Sequence, residues 1–302
     1  MTALSEASGP FEMTEWPEDR ESTITDFCDL LEELTSRDQE PDAVHDNVDR
    51  VLRSPTSHLL VVERAGRVAS TLTVNAYPTL TGEGTRAWID DVSTLPEAQR
   101  NGLSKQLMAA GEELAAPSGE VYLTSKPDRG VARSFYESRG YELLNEADEP
   151  LVVFRSTTIG KEEDPTAPLS VEELTPGFHH NDVGDLARLL DVDPYQMQRR
   201  MLAIVGSPTT RTFIVRTPSG EIVGVATGNE TPIPVGKKPW IDDIKGRDAD
   251  AEQTALEAAG KWLGGRYKYV NIVAAPDTEF GNGFAVRNTG LYVKRLGGIA
   301  TA

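Results

Sequence analysis

The chain has 302 residues, of which 38% are hydrophobic and 26% charged, a composition typical of a globular protein with about two domains. Its 48 acidic and 30 basic residues give a net charge of −18, so nucleic acid and anionic membrane surfaces are not expected as partners. One cysteine, Cys28, allows no intrachain disulfide, which predicts a reducing, cytoplasmic location. Neither a membrane-spanning run nor a secretory signal is predicted.

The first predicted elements are two helices near residues 24–35 and 43–53. The first helix carries apolar side chains at helical spacing, including Phe27 and Leu31. Residues 1–20, which precede it, are polar and contain two prolines, a composition that favours partial disorder.

The chain then repeats one plan. A strand hairpin near 58–74 precedes Trp88-Ile-Asp-Asp-Val92, and a second hairpin near 212–226 precedes Trp240-Ile-Asp-Asp-Ile244. Charged residues, glycine and prolines between the two copies predict a linker over 157–170. The sequence therefore predicts two related domains, residues 21–156 and residues 171–302.

The segment after the first repeated motif has the pattern of an anion-binding loop. A strand near 87–92 is followed by Gln99-Arg-Asn-Gly-Leu-Ser-Lys105, and an amphipathic helix begins at Leu103. The free N–H groups and the dipole at a helix start favour a phosphate or pyrophosphate, and Gly102 lets a ligand approach the backbone. Arg100 could add positive charge at the rim.

A second motif follows a predicted strand at Glu120–Ser125. It reads Arg129-x-x-Ala-x-x-Phe-Tyr136-x-x-x-Gly-Tyr141 and predicts a short helix that ends at a glycine C-cap. In this order and spacing, the loop and the second motif resemble those of the GNAT family of N-acetyltransferases. The resemblance covers about residues 24–155 and departs from the family pattern at Ser104, where the family has Gly or Ala, and at Arg129, where it has Asn.

The resemblance implies transfer of an acetyl group from acetyl-CoA directly to an amine. It also implies an α/β (α+β) fold with two GNAT-like domains, each a mixed, mostly antiparallel twisted sheet flanked by helices. Cofactor contacts are implied for the strand before the loop, the loop itself and the second motif: Val92, Ser93, Thr94, Gln99, Arg100, Asn101, Gly102, Leu103, Ser104, Lys105, Arg129 and Phe135.

The resemblance implies catalytic roles for three side chains. The family tyrosine that protonates the leaving thiolate corresponds to Tyr136, whose phenol has an ordinary pKa of about 10. A base is expected on the strand before the loop, where Asp90 and Asp91 would point to opposite faces so that one could face the amine. Tyr136 could equally be a core aromatic beside Phe135, and the aspartates could be structural, because an Asp pair recurs in the second copy.

The second copy lacks the loop pattern. Its corresponding segment carries Asp248, Asp250 and Glu252, which would repel a pyrophosphate. We interpret residues 171–302 as a degenerate GNAT-like domain that supports the first, covers its substrate cleft or carries a dimer contact. The departures in the first copy keep open the alternative that both folds form a non-catalytic binding or assembly module.

Other sites are not indicated. None of the four histidines has metal-ligand spacing, so no metal site is predicted, and Cys28 is expected to be a core thiol. The acceptor is expected to be a small-molecule amine or a protein amine, between which the sequence does not choose, and a homodimer is allowed.

Overall fold

The fold is that of a computed structural model, which describes residues 9–147, 151–156, 169–264, 266–267, 269–276, 278, 284–287 and 289–295. The helices of the first half are α1 (Arg20–Thr35), α2 (Pro41–Leu52), α3 (Leu103–Ala115) and α4 (Gly130–Ser138). Its strands are β1 (Phe11–Met13), β2 (Ser57–Arg64), β3 (Arg67–Pro78), β4 (Thr85–Thr94), β5 (Glu120–Ser125), β6 (Glu142–Leu143) and β7 (Val152–Ser156).

The second half begins with the same order of elements, a strand, two helices, three strands, a helix and a strand, and a counterpart of α4 is not among its described elements. Its helices are α5 (His180–Leu190), α6 (Pro194–Val205) and α7 (Ala249–Gly264). Its strands are β8 (Ser170–Glu173), β9 (Thr210–Arg216), β10 (Ile222–Ile233), β11 (Gly236–Gly246), β12 (Val270–Ala274), β13 (Ala285–Val286) and β14 (Gly290–Arg295).

Within the described ranges the strands form two seven-stranded sheets. Their orders are β1-β2-β3-β4-β5-β14-β6 and β13-β7-β12-β11-β10-β9-β8. One neighbouring pair in each sheet is parallel, β4 with β5 and β11 with β12, and the other pairs are antiparallel. This confirms the predicted class of two mixed, mostly antiparallel sheets flanked by helices.

The two halves exchange strands. β14, from the C-terminal half, lies between β5 and β6 in the first sheet, and β7, from the N-terminal half, lies between β12 and β13 in the second. A division into residues 21–156 and 171–302 stays a prediction, but each sheet draws one strand from across it. The repeat could not show this exchange, because it identifies equivalent elements and not their distant hydrogen-bond partners.

The expected tail and linker are only partly described. Residues 11–13, within the expected tail, form β1 and pair with β2 at the sheet edge. Residues 1–8 lie outside the described residues, as does the linker over 157–168.

Each half has its own apolar core. In the first, α1, α2 and α3 pack buried side chains against the sheet, among them Phe27 and Leu107. α3 lies close to β3, since a Cβ on Gly111 would come within 3.0 Å of Leu72 Cδ2. A smaller cluster joins the halves, where Trp88 and Trp240 of the repeated motif stack with ring centroids 4.2 Å apart.

Candidate active site

Strand β4 carries a bulge at Asp91. Thr71 of β3 pairs with Ser93 and Thr73 pairs with Asp90, so two residues of β4 oppose one of β3. The backbone of Asp91 is left-handed (φ 51°), a conformation that aspartate adopts more readily than most residues. The bulge interrupts the alternation of side chains, and both aspartates line one cleft. The expectation that one of the two aspartates faces the pocket therefore extends to both.

The cleft opens where β4 and β5 diverge and has a volume of about 620 Å³. The two strands pair only at Ala87–Val121 and Trp88–Tyr122. Beyond these pairs the cleft is lined by the ends of both strands, by α4 and by the segment after α1. The second half contributes residues in and beside the turn between β10 and β11, which are Ile233, Val235 and Lys238. It also contributes Tyr269, Arg287 and Thr289.

Asp90 is buried and its charge is compensated. Its Oδ1 accepts a hydrogen bond from Nζ of Lys238 at 2.7 Å, and its Oδ2 accepts one from Nδ2 of Asn75 at 3.3 Å. Lys238 belongs to β11, so the counterion comes from the other half of the chain. A carboxylate bound in this way does not offer a free charge to a cationic substrate.

Asp91 is partly exposed to the cleft. Its Oδ2 accepts one hydrogen bond, from the backbone N–H of Val235 at 3.2 Å. Desolvation, followed by repulsion from Asp90, raises the pKa of Asp91 to about 7, while Lys238 and Arg129 act in the opposite direction. A carboxylate with a pKa near neutrality is suited to general-base work.

Helix α3 begins with the geometry of an anion-binding site. Gly102, at its N-cap, is left-handed (φ 81°), and no side chain of the described residues caps the helix. A Cβ at this position would meet no atom within 4 Å, so the space beside the backbone is free. The first N–H groups of α3 are therefore available to a phosphate or pyrophosphate.

Helix α7 is the equivalent helix of the second half, and its start is closed. Oδ1 of Asp248 accepts the N–H of Ala251 at 2.9 Å. A Cβ on Gly246 would lie 2.3 Å from the backbone nitrogen of Glu252, so the loop packs tightly against the helix. The acidic segment thus uses a helix N–H that α3 leaves available.

Several predicted cofactor residues shape the loop before α3 through their side chains. Nε2 of Gln99 donates to the carbonyl oxygen of Thr94 at 3.1 Å, and Nδ2 of Asn101 donates to that of Gln99 at 3.1 Å. Oγ of Ser104 is 2.8 Å from Oγ1 of Thr94. These contacts tie the loop to the end of β4.

The other loop positions divide between surface and core. Arg100, which is left-handed (φ 61°), and Lys105 are exposed at the rim and form no ion pair within the described residues. Leu103 is buried in the core. Ser93 is also buried, and its Oγ donates to the carbonyl oxygen of Leu30 at 2.7 Å.

Helix α4 brings Tyr136 to the cleft. The Tyr136 side chain is 8% exposed and lies on the cleft wall with Arg129 and Val92. Arg129 Nη2 donates to the carbonyl oxygen of Leu34, tying the start of α4 to the end of α1. Phe135 packs on the core beside the tyrosine, with ring centroids 5.7 Å apart.

The structure therefore brings five of the predicted residues to one cleft: Asp90, Asp91, Val92, Arg129 and Tyr136. Sequence reasoning missed Lys238, Val235 and Asn75. One signal was available, since a basic residue precedes the tryptophan of each repeated motif by two positions, as Arg86 and Lys238.

The described part of the chain has neither a membrane-spanning helix nor a cluster of metal ligands. None of its helices is both long and apolar enough to cross a membrane. It also contains no group of three or more His, Cys, Asp or Glu side chains placed to hold a metal ion.

Comparison with known proteins identifies the first half. Residues 24–141 match the sequence model of the Acetyltransferase (GNAT) family. No curated protein matches the chain.

Solved structures resemble the whole chain. A GCN5-related N-acetyltransferase from Sphaerobacter thermophilus superimposes with a TM-score of 0.55 at 18% identity, covering 97% of this chain and 96% of its own. A tandem GNAT protein from the clavulanic acid biosynthesis pathway gives a TM-score of 0.55 at 17% identity, with 97% and 99% covered. Residues 24–141 thus form a domain of the GNAT acetyltransferase family, within a chain that has the fold of a tandem GNAT protein.

Proposed function

We propose that the protein is an N-acetyltransferase that moves an acetyl group from acetyl-CoA directly to an amine. The observation that carries the proposal is the arrangement of one cleft, with a partly exposed carboxylate at the β4 bulge and a tyrosine on its wall. Helix α3, with its uncapped start, follows the same strand.

The residues present suit acetyl-CoA. The open space at Gly102 and the first N–H groups of α3 would hold the pyrophosphate. Arg100 and Lys105 at the rim would add positive charge. Acetyl-CoA would supply the acetyl group as a thioester, whose carbon–sulfur bond breaks as the amide forms.

Asp91 and Tyr136 would move the two protons of this reaction. An amine is a nucleophile only when it is unprotonated, and the Asp91 carboxylate would take the proton that an ammonium group must lose. The Tyr136 hydroxyl would give a proton to the departing thiolate and would be replenished by the second proton that the nitrogen loses as the amide forms. Asp90, which is bound to Lys238 and Asn75, is assigned no proton transfer.

Cofactor binding and acetyl transfer can be tested separately. Calorimetric titration with acetyl-CoA should show binding at one site per chain, and a panel of small amines and peptide amines should show acetyl-CoA-dependent release of free thiol. Absence of binding would refute the proposal. Binding without transfer to any amine would favour the non-catalytic module instead.

A further inference from the structure

Each half of the chain contributes a basic side chain that forms an ion pair with an aspartate of the other half. Lys238 of β11 pairs with Asp90 of β4 at 2.7 Å, and Arg86 of β4 pairs with Asp242 of β11. The two basic residues hold the same place in the repeated motif. Each half therefore supplies the counterion for the buried carboxylate of the other half.

The polar networks behind the two pairs are also equivalent. Oγ of Ser57 donates to Asn75, which donates to Asp90. Oγ1 of Thr210 likewise donates to Asn229, which donates to Asp242. The two ion pairs are thus matched in construction.

Their surroundings differ at the second aspartate of each motif. Asp243 is held by the loop between β3 and β4 of the first half. It accepts the N–H of Leu80 at 2.7 Å and both the N–H and the hydroxyl of Thr81, at 3.1 and 2.6 Å. Asp91 accepts one hydrogen bond, from Val235. The pair formed by Lys238 thus lies beside a carboxylate that faces a cleft and is largely unengaged.

Lys238 lies at the point where the cleft begins. Its Nζ contacts Asp90 on β4 and Oγ1 of Thr124 on β5 at 3.2 Å, so it bridges the two strands just beyond their last paired residues. The ammonium lies 5.6 Å from the ring centroid of Trp88 and 5.3 Å from that of Trp240. These contacts hold a buried positive charge in a fixed place at the inner end of the cleft.

We propose that Lys238 is a positioning residue through which the second half completes the site of the first: it neutralises Asp90, bridges β4 to β5 and keeps Asp91 able to ionise. Two carboxylates on consecutive residues repel each other, and a cation bound to one of them relieves this repulsion. The catalytic meaning of the proposal rests on the proposed function, but the charge coupling does not.

The charged groups that bear on Asp91 come from several elements. Asp90 lies on its own strand, Lys238 on β11 and Arg129 at the start of α4. The same cleft is lined by further charged side chains, Arg37, Asp38, Lys126 and Arg287. The effect of a substitution at Lys238 must therefore be compared with that of removing one positive charge at another position.

The test is a carboxyl-carbon NMR titration of Asp91 in the full-length protein, with the signal assigned through D91N. In K238M the Asp91 midpoint should rise from about 7 by about one pH unit, because the repulsion from Asp90 is no longer relieved. K238R should keep the wild-type midpoint. R86M, which breaks the equivalent pair away from the cleft, should also leave it unchanged and controls for loss of an interface ion pair.

D90N should shift the Asp91 midpoint in the opposite direction, and it provides a second test in case the K238M protein does not fold. It leaves Lys238 without its carboxylate, so the Asp91 midpoint should fall below that of the wild type. An unchanged Asp91 midpoint in K238M or D90N would overturn the proposal. In the pH profile of acetyl transfer, the acidic limb should follow the same shifts. Loss of transfer to every amine, with the NMR shifts intact, would refute the proposed function alone.

Discussion

The assignment of proton-transfer roles depends on two side chains in one cleft, Asp91 and Tyr136. Nearby side chains of the same kind provide matched comparisons: Asp38 lines the same cleft as Asp91, and Tyr141 packs beside Tyr136 with ring centroids 6.0 Å apart. Tyr141 does not line the cleft. Each role can therefore be tested against a change of the same chemical kind.

Y136F should lower turnover by about 10²-fold if the hydroxyl protonates the leaving thiolate. The ring remains, so its packing and the affinity for acetyl-CoA should change little. Y141F removes a hydroxyl from the neighbouring ring and should leave turnover unchanged. Steady-state kinetics on an identified amine would make the comparison, and equal turnover in Y136F and wild type would assign Tyr136 to packing.

D91N should change how stability depends on pH. The folded pKa of Asp91, about 7, lies above the unfolded value of about 3.9, so the folded protein holds this proton more tightly. The resulting stability is complete below about pH 4 and is lost as pH rises through about 7. Asparagine has no such proton and, like aspartate, adopts a left-handed backbone readily.

Urea unfolding at pH 5 and pH 8 would measure this effect. Wild type should lose stability relative to D91N between the two values, by more than about 1 kcal/mol. D38N, at an exposed aspartate of the same cleft, should follow the wild type. Parallel pH dependence of wild type and D91N would show that Asp91 titrates normally.

Residue-level prediction from sequence succeeded where a local pattern determines the position. The spacing of α4 correctly predicted a helix carrying Tyr136, which lies on the cleft wall. It did not predict the bulge at Asp91, because a bulge depends on pairing with β3 and alternation alone assumes a regular strand. It missed Lys238, because the contact with Asp90 joins residues from different halves of the chain.

At the scale of elements, helical and strand periodicity predicted the repeated order of helices and strands. The start of α3 shows how much one helix end can differ from its equivalent. α3 begins after a left-handed glycine without a side-chain cap, whereas α7 begins with Asp248 accepting a helix N–H. The sequence indicated this difference, because the acidic residues of the second loop are adjacent in sequence to the helix start that they affect.

G102D should weaken acetyl-CoA binding by at least about 1.4 kcal/mol, or tenfold. The new carboxylate would occupy the open space beside the helix start and repel the pyrophosphate. G140D is the matched control. Gly140 has nearly the same left-handed φ (83°) and equally open surroundings, but it follows the end of α4 and does not precede the start of a helix.

Calorimetric titration of both variants would separate backbone strain from lost binding. G140D should bind acetyl-CoA as wild type does, even though it carries a similar cost in stability. Equal affinity in G102D and wild type, with both proteins folded by circular dichroism, would mean that the start of α3 does not hold the cofactor.

At the scale of the whole molecule, the exchange of β7 and β14 makes each half depend on the other. The first sheet contains a strand from the end of the chain, and Asp90 of that sheet is neutralised by Lys238 of the second half. The repeat predicted two domains, but hydrogen bonding between strands so distant in sequence leaves no local pattern to read. Thermal unfolding should therefore show one transition, and two well-separated calorimetric transitions would contradict this coupling.

Removing β14 tests the exchange directly. β14 pairs along the whole of β5, and Oγ1 of Thr289 just before it donates to the carbonyl oxygen of Ser125 at 3.0 Å. A chain ending at Thr289 would leave β5 without this neighbour and would remove Leu291, a buried side chain of the cluster between the halves. Because Thr124 and Ser125 of β5 line the cleft, loss of β14 should lower both the melting temperature and the affinity for acetyl-CoA.

A chain ending at Arg295 keeps β14 and is the matched control. It should melt and bind acetyl-CoA as the full chain does, because every β5–β14 pair is retained. If the chain ending at Thr289 kept the stability and affinity of the control, β14 would contribute nothing to the first sheet. The dependence of the site on the C-terminal strand would then be lost, and the first half would have to be treated as a domain complete in itself.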